Sequence, residues 1–113
     1  MLGSFTGGGS AGAALEISDV QVVNIGVASA EIMWETNNLA STQVEYWVTS
    51  TNVMRTEEKD VPGSGSTGVV SHQVSLTGLE PGTKYYFRVK SRDKDGQVAT
   101  EEGDFTTQPM PED

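Results

Sequence analysis

The chain contains no cysteine. Disulfides, thiolate metal sites and a cysteine nucleophile are therefore excluded. It has a single histidine, His72, so a histidine-rich metal centre cannot be assembled. Basic residues are few: 7 Lys and Arg stand against 16 Asp and Glu, a formal net charge of −9. A surface this acidic repels phosphate backbones, which argues against nucleic acid as a partner. No apolar run approaches the roughly 18 residues that a membrane helix needs, so no membrane insertion is expected. Helix formers are also sparse, with 5 Leu and 7 Ala. No segment sustains apolar residues at i, i+3 and i+4. What is abundant is β-branched: 13 Val, 12 Thr and 3 Ile. Such side chains are stiff at χ1 and suit the pleated surface of a sheet. The composition predicts an all-β protein.

At 113 residues and 12.0 kDa, the chain has the length of one domain. Residues 1–14, MLGSFTGGGSAGAA, hold five glycines and little to bury. That segment cannot offset the entropy of ordering its backbone, and a flexible tail is expected. It lacks the basic start and apolar run of a signal peptide. Residues 108–113, QPMPED, read as a C-terminal linker. The domain itself is expected over residues 15–107, and loose segments at both ends suggest a module of a longer polypeptide.

Short alternating runs fill the interval. Val20 and Val22 share one face of a first strand. Ala30, Ile32 and Trp34 alternate with Glu31, Met33 and Glu35, which predicts a strand with one wet face. Val44, Tyr46 and Val48 alternate with Gln43, Glu45 and Trp47. A weak run lies near residues 52–57, followed by the breaker VPGSGSTG at 61–68. Val70, His72, Val74 and Leu76 make the next set. Tyr85, Phe87 and Val89 then oppose Tyr86, Arg88 and Lys90. Asp95 and Gly96 supply a hairpin turn, and a last run holds Val98 and Phe105. Seven short strands with frequent turns predict a two-sheet β-sandwich.

One segment narrows the reading. Residues 76–85 are LTGLEPGTKY. In sandwich folds a tyrosine at this point returns its hydroxyl to backbone just upstream. Leu79 would plug the core, Pro81 and Gly82 would turn the chain, and Tyr85 would tie the corner. With Trp34 in the second strand and FTT at residues 105–107, the region 15–107 resembles a fibronectin type III domain. It is most similar to microbial members, including those that precede purple-acid-phosphatase-like domains and those in secreted multidomain proteins. The resemblance implies a non-catalytic module that spaces, orients or docks domains of a larger extracellular or cell-surface protein. Alternatives are an accessory domain of a secreted hydrolase, for phosphoesters or polysaccharides, or a carbohydrate-binding module. Animal members bind integrins through Arg-Gly-Asp between the last two strands. Here that stretch is Arg92, Asp93, Lys94, Asp95, Gly96, without the tripeptide. In the phosphatases the metal ligands belong to the following domain, so no cofactor is expected.

Candidate chemistry is thin. His72 is in phase with Val70, Val74 and Leu76, which predicts an imidazole packed beside the core. Ser71 and Ser75 are in the opposite phase and cannot serve it as nucleophiles. Residues 91–102, SRDKDGQVATEE, place Asp93, Asp95, Gly96, Val98 and Glu102 in calcium-loop register. The first ligand position is Ser91, however, and both flanks read as strands. The expectation is a hairpin with Asp93 and Asp95 solvated and no metal. Trp47 and Tyr86 point outward by phase on neighbouring strands, with Arg88 beside them. They form the candidate interaction surface, for a neighbouring domain, another protein or a sugar ring. Glu45, Arg88 and Lys90 are expected to pair across strands on that face. Nothing demands a second copy of the chain, and a monomer is expected.

Overall fold

A computed structural model describes residues 14–111. The predicted flexibility of residues 1–14 concerns, for 1–13, positions outside the described residues, as does the end of the linker at 112–113. Seven strands form: β1 (Ile17–Val23), β2 (Ala30–Ala40), β3 (Gln43–Trp47), β4 (Met54–Arg55), β5 (Val69–Leu76), β6 (Lys84–Arg92) and β7 (Val98–Thr106). They build two antiparallel sheets, β1-β2-β5 and β4-β3-β6-β7. This is the predicted all-β sandwich, and no helix interrupts it among the described residues.

The core is the set of inward phases read from the alternation. Ala30, Ile32 and Trp34 from β2 meet Val74 and Leu76 from β5 across from Val44, Tyr85, Phe87, Val89 and Phe105 of the other sheet. Gly103 lies opposite Phe87 in the β6–β7 ladder. A Cβ there would meet the Phe87 ring at 2.7 Å, so the glycine makes room for the phenyl group. In β1 the register breaks between Ser18 and Gln21, with Asp19 at φ 58°. The irregularity lets Ile17, Val20 and Val22 all pack against the core, although strict alternation would divide them.

Two valines depart from the expected phases. Val48 is 44% exposed and Val70 43%. Val48 lies past the end of β3, where the pleat no longer dictates direction. Val70 follows an irregularity in the β2–β5 pairing between Glu35 and Ala40. Val98 keeps to the alternation: it opens β7 seven residues before the buried Phe105, an odd interval that puts it on the opposite face, 50% exposed.

Candidate functional site

The outer face of the four-stranded sheet is organised by the β3–β6 register, which sets Trp47 against Tyr86 and Glu45 against Arg88. The rings of Trp47 and Tyr86 stack with centroids 6.3 Å apart. The Arg88 guanidinium lies 5.4 Å from the Trp47 ring centre. Lys84 Nζ lies at the same distance from that of Tyr86. Each aromatic ring thus has both an aromatic and a cationic neighbour within the sheet. The three predicted surface residues are brought together, and Lys84 joins them.

Beside them an ionic ladder crosses all four strands. Arg55 Nε donates to Glu45 Oε2 at 2.7 Å, Arg88 Nη1 donates to Glu45 Oε1 at 2.8 Å, and Arg88 Nη2 donates to Glu102 at 2.7 Å. Glu45 is buried beneath its two partners. The bond from Arg55, with Arg88 adding to it, holds the Glu45 carboxyl below its usual pKa although burial opposes this. Hydrogen bonds to Glu102 and then Glu45 raise the Arg88 pKa. Arg55 was not anticipated, because its strand is only two residues long. The expected pairing of Lys90 does not form. Lys90 sits between Gln43 and Thr100, and it makes no ion pair among the described residues.

Between the sheets lies a polar cluster that alternation alone does not reveal. Trp34 is 1% exposed and its Nε1–H donates to Ser91 Oγ at 2.9 Å. The only sequence signal was chemical: a buried indole N–H needs an acceptor. His72 is 2% exposed. Its ring stacks on Trp34 at 5.1 Å, 10° from parallel. Nε2 is 2.9 Å from Thr36 Oγ1 and Nδ1 is 2.7 Å from Thr42 Oγ1. Thr42 in turn reaches Asp60 Oδ2 at 3.0 Å. Burial drives the His72 pKa down to about 4, with Asp60 pulling the other way. Ser71 and Ser75 are exposed on the opposite face, so neither serine faces the imidazole. Its two nitrogens are engaged by threonine hydroxyls and it holds a structural position.

The corner residues occupy the other end of the sandwich. Leu79 is buried and its N–H donates to Ala28 O. The Tyr85 hydroxyl accepts the Glu80 N–H at 2.9 Å. Thr83 Oγ1 donates to Pro81 O. Gly82, at φ 57°, donates its N–H to Gln108 O at 2.9 Å. Gln108 also donates its own N–H to Gly26 O and its side-chain amide to Ile25 O. The first residue assigned to the linker is therefore tied to two loops.

The β6–β7 connection is a hairpin. Gly96 N–H donates to Asp93 O and Asp93 N–H to Gln97 O, with Gly96 at φ 83°. One expectation is corrected: Asp93 is buried, not solvated. Its Oδ1 accepts the N–H groups of Asp95 and Gln97 at 3.0 and 2.9 Å. The carboxylate replaces backbone partners that the turn lacks. Among the described residues no group of three or more His, Asp and Glu is arranged to hold a metal ion.

The family profile described as the N-terminal domain of purple acid phosphatase matches residues 19–107. No curated protein sequence matches the chain. Among solved structures, similar folds include the sixth fibronectin type III domain of human fibronectin type III domain containing protein 3. That likeness has 20% identity and a TM-score of 0.65, over 93% of this chain and 97% of that one. A second solution structure, of a fibronectin type III domain of human fibronectin type III domain containing protein 3, aligns at 16% identity and TM-score 0.62, over 91% and 94%. The sensor domain of the anti-sigma factor RsgI4 from Pseudobacteroides cellulosolvens aligns at 15% identity and TM-score 0.61, over 88% and 100%. At these identities the likenesses establish the fold alone. The sandwich, its tyrosine corner and the profile over residues 19–107 together make this chain a fibronectin type III-like member of the purple acid phosphatase N-terminal domain family.

Proposed function

We propose that this domain is a non-catalytic accessory module, which orients and docks a neighbouring domain of a larger protein. The observation that carries the reading is the tied exit of the chain. Gln108 is bonded through its N–H, its carbonyl and its side chain to the 25–26 loop and the corner at Gly82. A chain that leaves along a fixed direction transmits an orientation, which a loose linker cannot do. The family description supports a partner of phosphatase type. Trp47, Tyr86 and Arg88 offer a half-exposed docking face, with Tyr86 39% exposed. Their mutual stacking favours a protein surface over a sugar ring, because ring faces that a sugar would cover already meet each other and the two cations.

The non-catalytic part is tested with the purified chain and p-nitrophenyl phosphate at pH 5 to 7, with and without added iron and zinc. No turnover above buffer is expected, because the sole imidazole is enclosed. Turnover that vanishes in His72→Asn would overturn the reading.

A further inference from the structure

The two sheets leave four edge strands, and three of them are blunted. The β1 edge is bent by its register break and carries Asp19 at positive φ. The β4 edge is only two residues long. The β7 edge carries Glu101, Glu102 and Asp104. Shortness, bulges and charge are the usual means by which edges avoid pairing with other chains. The fourth edge is long and uncharged, and its one pairing irregularity lies at its start, between Val69 and Ser71. β5, VVSHQVSL, runs for eight residues without a Lys, Arg, Asp, Glu or Pro. It pairs with β2 alone. Among the described residues no backbone hydrogen bond leaves its far side. A groove of about 400 Å³ runs beside it, lined by Gln73, Val74 and Ser75 and, on the facing wall, by Thr56, Glu57 and Lys59.

We propose that the free edge of β5 is a strand-addition site for an extended segment of a partner polypeptide in which apolar and basic residues alternate. The main-chain requirement follows from the edge itself. A row of outward N–H and C=O groups at the strand repeat is complemented only by another strand. The side-chain requirement follows from the two faces beside it. An added strand lies about 4.8 Å from β5 and about 10 Å from β2. Its inward side chains continue the row of His72, Val74 and Leu76, all buried, and so are apolar. Its outward side chains lie beside Ser71, Gln73 and Ser75, within reach of Glu31 and Glu35 on β2, which pair with Ser75 and Ser71. Glu57 adds a third carboxylate from the wall, against the single cation Lys59. Basic residues complement this face, and the net charge of −9 attracts them at longer range. The site is on the sheet opposite the Trp47 face, so it stands or falls separately from the docking role.

The test is an amide-shift titration of the 15N-labelled chain with a blocked heptapeptide, acetyl-Thr-Lys-Val-Lys-Val-Lys-Thr-amide. Saturable shifts confined to β5 and residues 56–59 are expected. Affinity should fall at least tenfold when alternate peptide amides are N-methylated, which removes main-chain donors and keeps the charge. It should fall similarly in Ser71→Lys/Ser75→Lys, two exposed positions where new charge leaves the core alone. Equal binding of the N-methylated peptide would mean electrostatic adhesion only and would overturn the proposal. So would shifts centred on another edge, or none that saturate by millimolar peptide. Concentration-dependent pairing of the chain with itself through β5 would name a second copy as the occupant and equally overturn it.

Discussion

Trp34 and His72 lie face to face in the interior, and each brings a polar group that the core must satisfy. Trp34 does so through Ser91. Truncating it to Ala removes the largest fully buried side chain and leaves Ser91 unpaired. The expected loss is about 3–5 kcal/mol, against a total of about 5–15 for a domain. The thermal midpoint should drop by about 15 °C or more; a fall of only a few degrees would contradict the packing described. His72 poses a question of donors. Thr36 donates its hydroxyl hydrogen to Asn38 O at 2.7 Å, so it accepts from Nε2–H. Neutral His72 must then receive the Thr42 hydrogen at Nδ1, which withdraws that hydrogen from Asp60. Protonated His72 reverses the second step: Nδ1–H donates to Thr42, and Thr42 donates to Asp60. Asp60 thus supports the cation through the threonine, while burial opposes it. The folded pKa of about 4 lies below the ordinary 6.5. Between those values the unfolded chain binds a proton that the folded one refuses. The stability contribution is therefore complete above pH 6.5, declines as pH falls toward about 4, and is level below. Its size is at most about 3 kcal/mol. Urea unfolding at pH 7 and pH 4.5 should show this decline, and His72→Gln should lessen it. In Asp60→Asn the imidazole should titrate lower still by NMR. An unchanged titration there would contradict the relay.

At the scale of elements, the β6–β7 hairpin shows what alternation can and cannot foretell. Asp93 holds the turn by accepting two backbone N–H groups, so its carboxylate faces inward. Asp93→Ala should cost about 1–2 kcal/mol, because two buried donors lose their partner. Calcium at millimolar levels should give only diffuse, salt-sensitive shifts near Asp95. Saturable one-to-one binding lost in Asp95→Ala would reverse that reading. The period-two pattern made the seven strands, the two-sheet class and the inward phases of β2, β3 and β6 legible. It failed where a second rule overrides the pleat. Val48 passes the strand end, and Val70 follows a pairing irregularity. Asp93 shares the inward phase of Ser91, and both are buried. Its burial depends on the local turn bonds, which are invisible until the loop length is known. Glu45 was legible as an outward carboxylate, but not as the buried centre of a ladder. That required Arg55 from a strand too short to announce itself. The cluster joining His72, Thr42 and Asp60 spans three segments distant in sequence, and no local pattern encodes it.

For the whole molecule, the proposed orienting role rests on how the chain leaves the sandwich. The last strand ends at Thr106, yet hydrogen bonds continue beyond it. Thr107 donates its N–H to Thr83 O at 3.0 Å, and its hydroxyl to Glu80 O at 2.6 Å. The same hydroxyl oxygen accepts the Thr83 N–H at 2.9 Å. Gln108 then engages Gly26, Ile25 and Gly82. Two loops and the tyrosine corner thereby clamp the same two residues, and the Tyr85 hydroxyl that closes the corner bonds Glu80, whose carbonyl anchors Thr107. The corner serves the exit as well as the core. The consequence is a sharp boundary in mobility. Backbone order parameters at Thr107 and Gln108 should match those of the strands, near 0.85, and should fall at Met110, which is exposed and makes no such bonds. Gln108→Pro removes both the N–H given to Gly26 and the side-chain amide given to Ile25. It should drop order at Thr107 and lower stability by about 1–2 kcal/mol, while leaving the β2, β3 and β6 amide shifts in place. If the parent chain already shows values below about 0.6 at Thr107 and Gln108, the exit is loose, the direction of the chain is not transmitted, and the orienting role falls with it.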